Sequence, residues 1–149
     1  MSRATPRMYD FAERLISHEM KARGSARPGL PAGFLICERL RPQLATLMGN
    51  TGFRALLSRA LTMAHAEVPW LRAVQIKTDG SLDGLGASEA QMDPDRLSKG
   101  GVALAANLLE LLAAFIGESL TLRLVLGVWP KLPLNDLDFG KGDKNEKEK

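Results

Sequence analysis

Apolar positions fall into helical spacing over most of this chain, and they are densest between Gly101 and Ile116. In that stretch, GVALAANLLELLAAFI, only Asn107 and Glu110 interrupt the apolar run. A helix that is hydrophobic almost all round is covered by neighbouring elements or by lipid. As a helix the stretch reaches about 24 Å, short of the roughly 20 apolar residues of a bilayer span. Gly117-Glu118-Ser119 then closes the run, and Arg123 sits in the next apolar segment. The pattern predicts the central core helix of a soluble domain and no membrane span.

Upstream, Thr5-Pro6 predicts a helix start, with threonine as cap and proline in the first turn. Met8, Phe11, Ala12, Leu15 and Ile16 follow at helical spacing, and Gly24 is a natural stop. His18 borders that apolar face as a half-buried packing residue. GSARPGLPAG, residues 24–33, predicts a connector. Phe34 to Met48 is a second helix, with apolar Phe34, Cys37, Leu40, Leu44, Leu47 and Met48. Pro42 should kink or restart it, because proline lacks the amide donor and clashes with the preceding turn. Gly49-Asn50-Thr51-Gly52 breaks the chain, and Phe53, Leu56, Leu57, Ala60, Leu61, Ala64 and Val68 then give an uninterrupted helical stripe ended by Pro69.

From Trp70 to Leu85 the helical period is lost. Val74 and Ile76 alternate with polar residues, and Thr78-Asp79-Gly80-Ser81 is a strong turn, so a short hairpin or an extended arm is expected. It should lie on the helices through Trp70, Leu71 and Val74. Ala87 to Met92 allows one helical turn, Asp93-Pro94 starts another helix, and Gly100-Gly101 marks a joint before the central one. Ser119 can cap LTLRLVLGVW, where period alone does not separate helix from strand; the leucine content and the cap favour helix. Residues 138–149 are a charged, apolar-poor tail expected to be disordered. The resulting expectation is a mainly all-α domain over 1–137. Five to six helices would form an orthogonal bundle around the central hydrophobic helix, with the short arm or β-hairpin beside it.

The polar interruptions of the central helix carry the specific signal. Gly100, Ala103, Asn107, Glu110, Ala114 and Gly117 share one face at spacings of three and four. Small residues let another backbone come close, and a polar pair among them can fix a register or a partner. Asn107 and Glu110 would face solvent, a subunit or partner, or Arg123. The candidate interface is therefore Ala103, Asn107, Glu110 and Ala114, with Trp70 on the arm.

Composition narrows the classes. Apolar residues are 45% and charged residues 25%, the balance of a soluble globular protein. A single cysteine, Cys37, forbids an internal disulfide and reads as a buried, inert thiol. The N-terminus has no apolar signal segment, so the cytoplasm is expected. Net charge is +3 but uneven: residues 1–77 carry +7 and residues 78–149 carry −4. That asymmetry reflects either solvated arginines or an anionic partner. Arg39, Arg41, Arg54, Arg59 and Arg72 lie in or beside two consecutive helices and could form one basic surface for nucleic acid or another anion.

Enzyme chemistry finds little support. His18, Cys37 and His65 match no metal-ligand spacing. There is no G-x-S-x-G elbow, P-loop or G-x-G-x-x-G fingerprint. Neither histidine has the following lysine and glycine of phosphotransfer bundles. No catalytic, cofactor-binding or metal-binding residue is assigned, and no cofactor is expected.

GFRALLSRALTMAHAEVPWL, the turn TDGSL and FIGESLTLRLVLGVWP resemble a group of uncharacterised small bacterial helical proteins and domains, some beside signalling genes. The likeness covers roughly residues 50–130 and implies a recurring helical module; it transfers no catalytic residue. The expectation is a non-enzymatic interaction or regulatory module of the bacterial cytoplasm, binding a protein partner or a second copy. Anionic-ligand or nucleic-acid binding through the arginines is the alternative.

Overall fold

The computed structural model describes residues 5–23, 32–83 and 94–132. These residues are mainly helical, with helices α1 (Pro6–Arg23), α2 (Ala32–Glu67), α3 (Pro94–Ile116) and α4 (Glu118–Val128). A 3-10 turn spans Pro69–Ala73, and strands β1 (Gln75–Ile76) and β2 (Leu82–Asp83) pair antiparallel, Gln75 opposite Asp83 and Ile76 opposite Leu82. The turn expected at residues 87–92 and the tail at 138–149 lie outside the described residues.

Helix α1 starts as its sequence predicts. Thr5 Oγ1 accepts the Met8 amide at 3.2 Å, and Pro6 occupies the first helical position. Met8, Phe11, Ala12 and Leu15 are buried. Helix α2 contains a single non-helical residue, Gly49, with φ 82° and ψ 158°. The break thus falls at Gly49 and not at Pro42, which stays within the first half of the helix. Pro42 is solvent-exposed, so water can serve the carbonyl that loses its donor. Phe34, Ile36, Leu40 and Leu44 are buried before the break, and Phe53, Leu57, Ala60 and Ala64 after it.

Helix α3 is longer than its apolar run suggests, because Gly100-Gly101 is not a joint. The helix runs straight through both glycines, and other elements use them as close-approach points. A Cβ at Gly33 of α2 would lie 2.0 Å from the Gly101 carbonyl oxygen. A Cβ at Gly100 would lie 2.3 Å from the Trp70 ring. The glycines are helix-crossing contacts, and the described residues form four α-helices where five or six were expected of the chain. The segment that starts at Pro94 and the apolar run from Gly101 are one helix, and the two halves of α2 meet at the non-helical Gly49.

The 23 residues of α3 span about 35 Å. Its segment Asp95–Ile116 is long and apolar enough to cross a membrane by length and composition, but its most apolar window is 61% buried within the fold. Ala103, Leu104, Ala105, Ala106, Leu108, Leu109 and Leu112 are all buried. Helices α1, α2 and α4 pack around it. Between α3 and α4, Gly117 (φ 92°, ψ 154°) forms the N-cap, in place of the serine cap expected at Ser119. Its carbonyl accepts both the Thr121 amide at 3.1 Å and Thr121 Oγ1 at 2.8 Å. Helix α4 buries Thr121 and Val125, and Trp129 follows them into the core.

Candidate functional site

Three features were candidates from sequence: the polar-small stripe of α3, the Trp70 arm and the arginines. The structure takes the stripe from core to surface along its length. Ala103 and Asn107 are buried, and Asn107 Nδ2 donates to the Ala103 carbonyl at 2.8 Å. Neither residue is open to a partner. Glu110 faces neither a bare solvent strip nor Arg123. Its Oε1 accepts the Thr5 amide at 3.2 Å and Thr5 Oγ1 at 3.4 Å. A carboxylate at a helix N-terminus satisfies an orphan donor and complements the helix dipole. Glu110 is therefore part of the start of α1, and together with Thr5, Arg7 and Glu118 it lines a shallow cleft of about 320 Å³. Ala114 alone of the four is exposed.

Trp70 is likewise engaged within the chain. Its ring covers Gly100, and its Nε1 donates to the Arg96 carbonyl at 3.1 Å. The arm beyond it is pinned at its turn. Asn50 Nδ2 donates to the Thr78 carbonyl at 2.9 Å, and Arg41 Nη1 to the Asp79 carbonyl at 3.1 Å. Gly80, at φ 89°, presses on the Phe53 ring, where a Cβ would come to 3.0 Å. Asp79 Oδ1 accepts the Ser81 hydroxyl at 2.6 Å and the Ser81 amide at 2.9 Å. Those two bonds, with Arg41 and Lys77 nearby, hold the Asp79 carboxyl below the ordinary aspartate range.

The five arginines do not share one task. Arg39 Nη2 donates to the Val128 carbonyl at 3.2 Å, and its guanidinium lies 5.8 Å from the Trp129 ring centre. Arg41 pairs with Glu38 at 2.8 Å as well as holding the turn. Both are structural. Arg59 and Arg72 are exposed, and Arg54 Nε is buried with no hydrogen-bond acceptor among the described residues.

Two groups were not singled out from sequence. The first is Glu19, only 1% exposed, whose Oε1 accepts Trp129 Nε1 at 2.7 Å with Arg39 Nε 3.9 Å away. This network ties α1, α2 and the end of α4 together. The second is a cleft of about 360 Å³ between α1, the end of α2 and α3. Tyr9, Glu13 and Glu67 line one side, Ser98 and Lys99 the other, and Val68, Val102 and Ala103 its apolar part. The Tyr9 hydroxyl donates to Glu67 Oε1. The i, i+4 pair Tyr9/Glu13 was visible in the sequence, but nothing there brings it to Glu67.

At the surface, the end of α3 and the outer face of α4 expose large apolar side chains: Phe115 at 68%, with Leu120 and Leu126. Phe115 was expected among the core residues of the central helix. Cys37 is buried, and burial, with Glu38 beside it, raises its thiol far above the ordinary range, which leaves no thiolate for nucleophilic chemistry. Among the described residues no group of three or more His, Cys, Asp or Glu could hold a metal ion. No family model matches the chain, and no curated protein or solved structure matches it.

Proposed function

We propose that this chain is a non-enzymatic protein-interaction or regulatory module whose contact surface is the end of α3 and the outer face of α4. The observation that carries the reading is Phe115, a large aromatic ring left 68% exposed beside exposed Ala114 and ahead of Leu120 and Leu126. Large exposed apolar side chains among polar ones mark interaction surfaces, and aromatic anchors dominate interface energetics. Glu118 and Arg123, both exposed, flank Leu120 with opposite charges. A second copy could meet such a face antiparallel, each glutamate opposite an arginine, as an isologous pair requires.

Sedimentation velocity across a concentration series tests this. The parent chain should self-associate, and Phe115→Asp should be monomeric with an unchanged helical signal. Equal sedimentation of the two chains would remove the face as a self-interface. A photo-crosslinker at position 115 that then captures no protein from bacterial lysate would remove the reading altogether.

Arg54 favours a second reading. Its buried guanidinium nitrogen has no acceptor among the described residues and is a donor that an anion could take, with exposed Arg59 further along the same helix. Retention on heparin that is lost in Arg54→Glu/Arg59→Glu would support anionic-ligand binding; unchanged retention would remove it.

A further inference from the structure

The cleft between α1, α2 and α3 belongs to neither reading above. Its volume, about 360 Å³, is at the small end of the range of ligand pockets, which runs from about 300 to 1,000 Å³. Its apolar part is half-buried Val68 and Val102 over the covered Ala103, so a short hydrocarbon body can lie on the two valines. Its polar part is unevenly charged, with Glu13 and Glu67 on one side against Lys99 alone on the other. The Tyr9 phenol donates to Glu67 and so orients that carboxylate at the C-terminal end of α2, where the helix dipole would otherwise oppose it. Glu13 lies one helical turn beyond Tyr9 on the same face. Among the described residues Glu13 makes no hydrogen bond or ion pair, and neither does Lys99.

From this arrangement we infer that the cleft binds a small primary ammonium ligand with a short branched aliphatic body. The ammonium sits between Glu13 and Glu67 beside the Tyr9 ring, and the hydrocarbon lies on Val68 and Val102. An ammonium offers three donors to the two carboxylates, and hydrogen bonds between charged groups are the strong ones. A cation–π contact adds to this, because the face of the Tyr9 ring attracts positive charge. An anionic ligand would meet two carboxylates and one lysine, so charge rejects it.

Isothermal titration of the full chain with isoamylamine, L-leucinamide, L-leucine and N-acetyl-L-leucine tests the assignment. The two simple cations should bind saturably, and N-acetyl-L-leucine should not. Glu13→Gln should weaken leucinamide by about tenfold, the worth of a hydrogen bond to a charged group. Lys99→Gln should tighten it a few-fold, because a like charge is removed. Ser98→Trp, at an exposed position on the rim, should block the cleft while circular dichroism shows the fold retained. Absence of saturable binding by either cation would overturn the inference, as would binding that survives both Glu13→Gln and Ser98→Trp. Leucine binding more tightly than leucinamide, and lost in Lys99→Gln, would overturn it in favour of a zwitterion site.

Discussion

Glu19 has 1% of its surface exposed and takes its hydrogen bond from Trp129 Nε1 at 2.7 Å, so an ionisable side chain sits inside the core and is held there by named partners. A buried charge is tolerated only when paired and hydrogen-bonded. Trp129→Phe keeps most of the ring volume but deletes the donor, and should destabilise the fold by about 2 kcal/mol in urea unfolding. An effect within the scatter of surface substitutions would show that Arg39 alone satisfies the carboxylate. Asp79 works in the opposite setting, on the surface of the arm. Its folded pKa lies below the unfolded one, so its contribution is present above the ordinary aspartate range. That contribution is lost as pH falls through the depressed value. The Ser81 amide resonance should titrate in that acid window, and Asp79→Asn should abolish the inflection. An inflection at an ordinary aspartate pKa would mean that the Ser81 bonds are absent in solution.

At the level of elements, one substitution type gives opposite results in two helices. Gly49 and Gly127 both have open space where a Cβ would go, so packing is equal and only backbone conformation separates them. Gly127 lies within α4, and alanine there should stabilise by about 0.5–1 kcal/mol, since glycine is the poorer helix former. Gly49 stands at φ 82° and ψ 158°, a region open essentially to glycine, and alanine there should cost about 1–3 kcal/mol. Thermal unfolding of the pair checks both signs at once. Two stabilising results would mean that α2 runs unbroken in solution.

For the whole molecule, the crossing of α2 over α3 decides how the helices stack. Gly33 and Gly101 are in backbone contact, and a methyl group at Gly33 would lie 2.0 Å from the facing carbonyl oxygen. Gly33→Ala must therefore push two backbones apart. It should cost at least about 3 kcal/mol, the upper range for overpacking, and weaken near-UV dichroism before far-UV dichroism changes. A fully native near-UV spectrum and unchanged stability would show that the helices do not cross there. This close approach also helps to bury α3, whose most apolar window is 61% covered within the fold.

Local pattern settled much of this fold in advance. The Thr5-Pro6 cap, the break at Gly49, the apolar stripe from Phe53 to Ala64 and the turn at residues 78–81 are each determined by a few neighbouring residues. The chemistry of capping, glycine dihedrals and helical period acts at that range, so it can be read without a structure. Other features depended on residues far apart in the chain. Gly100-Gly101 reads locally as a breaker; only Gly33 and Trp70, arriving from elsewhere, make it a contact inside one helix. Glu110 reads as a solvent or partner residue until Thr5 is brought to it across 105 positions. Arg39 reads as a surface cation until Glu19 and Trp129 close around it, and the cleft exists only where three helices meet. Sequence by itself determined the start of α1, the break at Gly49 and most of the buried helix faces, because those preferences are short-range. Tertiary structure decided which polar groups are already spent and which surfaces stay open, because burial and pairing depend on which distant residues the packing brings together.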